Sequence, residues 1–447
     1  MYATVIKNGW LGLDGKRDIR IRGTRIEAIG SLSPQPGDEV IDASDKVIYP
    51  GLVNTHHHLF QSILKGIAAG LDQGLGDWLQ SVPYRHWPKF TPEMLYTAAR
   101  VGFTELLRSG CTTCADHHYL YHANSSPEME AVLFQAAEEV GIRYVLCRGG
   151  TTGRMTHKGM QKAGVEAESL EQFLMRTEAV ADRYHRDDDD ALFKVVVAPT
   201  TLVHSMPPAH LKEVAAFARG RGLRLHSHLL EVPFDDQVSR ERYGCSAVEL
   251  AAQCDWLGED VWFAHLVNAG PEDRRLLGAT GTGVSHCPIS NARLGSGIAP
   301  IPEMAAAGMQ VSIGVDGSGS AEGGSLIGEL YATWLLHRTR LGPDATSVAQ
   351  VLKWGSEEGA RMLGFPSLGR LEVGAPADLL IFDLDHPRFA GVWEQAQAPI
   401  LCGEPAAVER VMVNGRWSVV DGRVTALDER HLATQARDTV ANLRALD

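Results

Sequence analysis

The chain has 447 residues, 44% hydrophobic and 22% charged, with a formal net charge of −13; this is the composition of a globular chain large enough for more than one core, and it excludes extensive disorder. Lysines and arginines nowhere cluster into a basic stripe, which argues against a nucleic-acid polymer as partner and leaves a small molecule. No apolar run is long enough to span a bilayer, residues 1–9 lack the basic start and apolar core of a signal peptide, and seven cysteines, scattered from Cys111 to Cys402, suit a reducing compartment, so a cytoplasmic protein is expected.

From residue 5 to about residue 47, short alternating strands are broken by glycines and turns, as in Ile19-Arg20-Ile21-Arg22-Gly23-Thr24-Arg25-Ile26. The same texture returns from about Gly369, in residues 377–383 and 408–416. The two ends are expected to meet as one small β-sandwich domain, residues 1–49 with 369–447, around a central domain of residues 50–368.

The boundary between the two domains is crossed by Ile-Tyr-Pro-Gly-Leu-Val-Asn-Thr-His-His-His at residues 48–58. Side chains alternate faces along an extended strand, so His56 and His58 point one way and His57 the other. Two imidazoles on one face can chelate a metal, although a lone His-x-His is more often an incidental polar strand end. Further strand-like runs follow at 111–118, 142–149, 193–200, 223–229, 261–266, 283–288 and 311–316, separated by helix-length segments. Eight such units close into a (β/α)8 barrel of the TIM type, with its site at the carboxyl ends of the strands.

The second run carries Cys111-Thr112-Thr113-Cys114, the spacing of a zinc or redox pair. Without a preceding proline or an upstream His-x-Glu it does not fit the cysteine-ligated zinc deaminases, and inside an apolar strand the two thiols are expected as core. His117 and His118 follow Asp116; only one of them can face the site, where hydrogen bonding behind the ligands is expected. Asp187 to Asp190 suggest a solvated loop. His204, just after the fourth strand, is a candidate substrate neighbour. The fifth run ends in His228 with Glu231 close behind, the sixth in His265 and the eighth in Asp316. Each is weak alone, but four strand ends of one barrel presenting imidazoles and carboxylates point to a single divalent ion, zinc or ferrous iron, and to metal-assisted hydrolysis.

With these residues in place the chain resembles the amidohydrolase superfamily, in its mononuclear deaminase branch. The match runs almost end to end, through Pro50 to His58, His228 to Glu231, Ala264-His265, His286-Cys287-Pro288-Ile289-Ser290-Asn291, Val315-Asp316-Gly317-Ser318 and Gly374-Ala375-Pro376-Ala377-Asp378-Leu379. The resemblance implies that His56, His58 and His228 bind the metal, with Asp316 as a fourth ligand that also moves a proton. It implies further that Glu231 protonates the ring nitrogen beside the carbon under attack and that His265 orients or deprotonates the attacking water. An acid is needed there because a neutral aromatic amine resists attack until its ring nitrogen is protonated. A catalytically silent scaffold of this fold would be expected to lack such ligands.

Leu59-Phe60-Gln61-Ser62, Lys65-Gly66, Trp78-Leu79 and Pro83-Tyr84-Arg85 resemble the superfamily's pterin deaminases. The implied substrate is a fused two-ring amine: isoxanthopterin first, pterin-6-carboxylate as an addition, then 8-oxoguanine, then guanine, cytosine or a triazine. Gln61 can donate and accept at once, Arg148 and Arg85 can fork two bonds onto a carbonyl or carboxylate, and Trp78 and Tyr84 can stack on the ring. His286, Asn291 and Arg293 are expected to support the pocket without a catalytic step. Residues 60–92, rich in glycine and proline, are the candidate lid. Homo-oligomers are common in the superfamily, and one is expected here.

Overall fold

The computed structural model describes residues 3–153, 164–406 and 408–446. Strands β1 (Thr4–Leu11), β2 (Lys16–Arg22), β3 (Arg25–Gly30), β4 (Glu39–Asp42) and β5 (Lys46–Pro50) are hydrogen-bonded into one sheet with strands from the other end of the chain, β14 (Leu379–Asp383), β15 (Val408–Val413), β16 (Arg416–Val420) and β17 (Arg423–Val424). The ends join where β5 runs antiparallel to β14, from Lys46 opposite Asp383 to Pro50 opposite Leu379. The sheet branches at β1, which pairs β2 antiparallel and β4 and β5 in parallel. Ile6, Ile19, Ile48, Leu379, Ile381 and Met412 bury its inner face, the alternation expected of strands with one face in a core. The carboxyl-terminal helix, Glu429–Ala445, belongs elsewhere: it lies on the helix Pro92–Arg108, tied by Arg108 to Glu429 at 3.1 Å and Arg100 to Gln435 at 3.3 Å.

The chain passes from this sheet to the next at Gly51. Its N–H is taken by the Asp378 carbonyl at 2.9 Å, and a Cβ there would lie 2.3 Å from Thr112 Oγ1, so the crossing needs the bare backbone of glycine. Eight parallel strands then follow in chain order, β6 (Leu52–Asn54), β7 (Cys111–His118), β8 (Arg143–Arg148), β9 (Phe193–Val197), β10 (Leu225–Leu229), β11 (Val261–His265), β12 (Gly283–His286) and β13 (Gln310–Ile313). Every strand-like run read from the sequence appears here, most with a shorter hydrogen-bonded span. β6 is the clearest difference: regular pairing stops at Asn54, before the three histidines. The ring of strands is completed just beyond it by Thr55 N–H to the Ile313 carbonyl (3.1 Å) and Asp316 N–H to the His56 carbonyl (3.0 Å). These bonds, with the bridge between His57 and Asp316, keep the histidines extended and preserve their alternation.

Small polar side chains fill part of the barrel below the histidines. Thr55 Oγ1 sits 2.7 Å from both Ser285 Oγ and Ser312 Oγ. On the amino side of the barrel, buried Arg143 at the start of β8 grips Asp378 through Nε (2.9 Å) and Nη2 (3.0 Å), anchoring the small sheet to the barrel. Cys111 and Cys114 are fully buried, as core residues. Asp187, Asp188 and Asp190 are exposed, and the run is stitched to its surroundings by Lys194 to Asp187 and Arg25 to Asp190. Among the described residues no helix is long and apolar enough to cross a membrane.

Candidate functional site

His56, His58 and His228 converge at the carboxyl end of the barrel as one group that could hold a metal ion. His58 Nε2 is 3.2 Å from His228 Nε2, and Asp316 Oδ1 is 3.2 Å from His58 Nε2 and 3.4 Å from His56 Nε2. Ligand atoms at zinc distances of roughly 2.0–2.1 Å in tetrahedral array lie about 3.3 Å apart, so this spacing matches a four-coordinate divalent ion. His56 Nε2 is buried and has no hydrogen-bond partner, an orphaned lone pair that a cation would satisfy. The far nitrogens are spoken for: His58 Nδ1 donates to the His117 carbonyl at 2.7 Å and His228 Nδ1 to the Thr200 carbonyl at 2.6 Å. Burial pushes His56 and His228 well below the usual imidazole range, keeping them neutral, as ligation requires. His57 faces the helix Pro92–Arg108, where its Nε2 would stand 3.5 Å from a Cβ at Gly102.

Asp316 presents Oδ1 to the histidines and Oδ2 to Ser290 Oγ at 2.5 Å and Ser320 Oγ at 3.3 Å. His265 Nδ1 donates to Asn291 Oδ1 at 3.1 Å, which turns Nε2 toward Glu231 Oε2, 3.5 Å away. Burial pushes the Glu231 carboxyl up to about 7; the neighbouring His265 opposes this, while Asp316 and Asp235 add to it. Leu230, His265 and Asp316 have φ of 53°, 75° and 57°. Left-handed backbone at non-glycine residues costs on the order of 1–3 kcal/mol each and collects at functional sites, and here it falls where the chain leaves three strands.

The pocket in front of this cluster is walled by Leu75, Trp78, Leu79, Tyr84, Tyr119 and Leu294, with Gln61, Thr200, Thr201, His204 and Asp235 as polar contributors. Gln61 donates from Nε2 to the Tyr119 hydroxyl at 3.2 Å, while its Oε1 is buried without a partner. Gly317 permits that pose, since a Cβ there would be 2.0 Å from Gln61 Oε1. Trp78 is both wall and core, its indole N–H held by the Gly319 carbonyl at 3.1 Å. His204 Nε2 lies 3.0 Å from Asp235 Oδ1. Residues 60–92 therefore form one wall of the pocket.

Arg148 does not line the pocket, contrary to expectation. It is fully buried, forks onto Glu168 at 2.7 and 2.6 Å, and lies between the rings of Tyr121 and Phe173. Paired with Glu168, bonded to the Gly149 carbonyl and stacked on two rings outside the pocket lining, this guanidinium does not reach a substrate in the pocket. Arg85 is exposed and also outside the lining. His117 lies against the cluster, its ring stacked 4.7 Å from His228, and His118 turns the other way onto Tyr121. His286 packs on His337 behind the site, and Arg293 pairs with Glu322. Sequence reasoning missed Tyr119, Thr200, Thr201 and Asp235. It also missed His226, although His226-Ser227-His228 carries the same alternating spacing as His56 and His58.

A model of the Amidohydrolase family matches residues 47–418. The chain is 44% identical over 441 residues to an isoxanthopterin deaminase from an unknown prokaryotic organism, covering 95% of this chain and 92% of that one. It is 37% identical to an 8-oxoguanine deaminase of Pseudomonas aeruginosa, covering 97% and 96%. The fold superposes on an atrazine chlorohydrolase from Arthrobacter aurescens complexed with zinc with a TM-score of 0.91 at 27% identity, covering 98% of this chain and 100% of the other.

Proposed function

The chain belongs to the amidohydrolase family, and from that premise we propose that it is a hydrolytic deaminase of a fused amino-heterocycle, with isoxanthopterin as substrate and one zinc ion held by His56, His58, His228 and Asp316. The observation that carries this is the meeting of those four ligand atoms with Glu231 and His265 at one pocket walled by aromatic and leucine side chains. Its nearest support for the substrate is the 44% identity to an isoxanthopterin deaminase across nearly the whole chain.

A divalent ion in that cage supplies a Lewis acid that makes water nucleophilic near neutral pH. The side chains do the rest. His265, held by Asn291, presents Nε2 as the base that takes a proton from the attacking water. Glu231, whose carboxyl stays partly protonated near neutrality, gives its proton to the ring nitrogen next to the amino-bearing carbon. Asp316, fixed from behind by Ser290 and Ser320, takes the remaining proton of the attacking water and passes it to the departing amine, which leaves as ammonia, while the proton on His265 restores Glu231. Gln61 Oε1 accepts from a ring N–H on the 2-amino-4-oxo edge, and Trp78, Tyr84 and Leu294 bound the plane of the rings.

The catalytic residues would serve 8-oxoguanine equally, and the 37% identity to an 8-oxoguanine deaminase makes it the second reading. Discrimination lies in the loop contacts. Ammonia release by the zinc-loaded protein is to be measured on isoxanthopterin, pterin-6-carboxylate, 8-oxoguanine, guanine and cytosine. The highest kcat/KM is expected for isoxanthopterin; a clear preference for 8-oxoguanine overturns the substrate and leaves the reaction type standing.

A further inference from the structure

His58 and His228 each give their outer ring proton directly to a backbone carbonyl, and His56 does not. Its Nδ1 is 2.9 Å from Nε2 of a second buried imidazole, His226. The other nitrogen of that ring, Nδ1, faces the Trp262 carbonyl at 2.9 Å. A carbonyl only accepts, so Nδ1 of His226 carries a proton. In the neutral ring Nε2 is then a bare acceptor, and it faces His56 Nδ1, which must donate. This leaves the Nε2 lone pair of His56 bare on the side of Asp316 and the other ligands. The Trp262 carbonyl thus fixes protonation two imidazoles away.

The relay is rigid as well as directional. The His226 ring stacks on the Trp262 indole with centroids 4.5 Å apart at 17°, and the indole N–H bonds the carbonyl of Thr55, the residue before His56, at 3.2 Å. His56, His226 and Trp262 are all fully buried, so water does not compete for these bonds. Because the acceptor behind His56 is a neutral imidazole, the relay orients the ligand without adding negative charge to the site.

We propose that His226 is a positioning residue for the metal centre, holding His56 in the Nδ1–H tautomer with Nε2 turned to the ion. The proposal rests on His56 being a ligand, as read above. Outer partners of ligating histidines are typically worth about 10–100-fold in metal affinity. Zinc affinity of the chelator-stripped chain is to be measured by competition with a chromophoric chelator for the native protein, His226→Phe and His226→Gln. His226→Phe keeps a flat ring on Trp262 but removes the acceptor, and it is expected to bind zinc roughly 10–100-fold more weakly. The Gln amide can accept from His56 and donate to the Trp262 carbonyl, and it is expected to restore most of the loss.

Equal zinc affinity in native protein and His226→Phe overturns the positioning role while leaving the cage intact; absence of zinc binding by the native protein overturns the cage and the inference together. Should His226→Phe fail to fold, nitrogen NMR of histidine-labelled native protein decides the matter. Both His56 and His226 are expected as Nδ1–H tautomers, and an Nε2–H form of either one refutes the relay.

Discussion

Glu231 Oε2 lies 3.5 Å from His265 Nε2, so the proposed acid and base stand side by side in the lining of the pocket, on the same flank of the bound substrate. Burial pushes Glu231 up to about 7, which keeps the acid form populated at neutral pH. The acid form is lost as pH rises through that value, and kcat/KM is expected to fall on the alkaline side with an apparent pKa near 7. Glu231→Gln should retain zinc, lose on the order of 10²–10⁴ in kcat, as general-acid removal does, and abolish that alkaline limb in the residual rate. An unchanged limb in Glu231→Gln would assign it to another group.

Much of this site is legible in the sequence because it sits at strand ends. The period of a strand is two, so His-x-His reads directly as one face, and His56, His58 and His228 are found where that rule puts them. Glu231, His265 and Asp316 lie where apolar runs stop, a boundary that apolar patterning marks well. The pocket walls are less legible, since a residue number in a loop does not fix where its side chain points. Arg148 shows why: nothing in its neighbourhood announces that Glu168, twenty residues on, pairs with it through both carboxylate oxygens. Tyr119 escapes for the opposite reason, because an aromatic after a strand resembles ordinary core until Gln61 is seen bonding its hydroxyl.

Gly317 is where backbone makes room for a substrate contact. A methyl group there overlaps Gln61 Oε1 at 2.0 Å, and Gln61 is already held from the other side by Tyr119, so it must swing. A displacement of about 1 Å in a positioning group can cost roughly 10²-fold. Gly317→Ala is therefore expected to lower kcat/KM for isoxanthopterin by about 10–100-fold, mainly through KM, with zinc content unchanged. Native KM in this variant removes Gln61 from the substrate site.

Arg148 is predicted to matter for stability and not for recognition. Replacing it with Met leaves Glu168 buried with only the half-buried Arg176, at 2.9 Å, as a cationic partner. Breaking a buried pair by removing one member costs about 3–5 kcal/mol, and the remaining arginine should hold the loss to the lower end. Denaturant unfolding is expected to show that loss, while the ranking of substrates by kcat/KM stays as in the native protein. A changed ranking without a loss of stability would return Arg148 to the pocket.

The cage should also declare itself in stability. A ligand that binds the folded chain and not the unfolded one stabilises it by about 2.7 kcal/mol when present at 100 times its Kd, so stripping the ion is expected to lower the Tm as well as abolish turnover. Readdition should restore both at one equivalent of zinc per chain, because the four ligand atoms enclose a single centre and His56, shared by every group in the described residues that could hold an ion, offers it just one free nitrogen. His228→Ala removes one ligand without touching the small sheet, and should lose the zinc-dependent part of the Tm while leaving that of the stripped protein close to the native value. Two equivalents of tightly bound zinc, measured by elemental analysis, would contradict a mononuclear site.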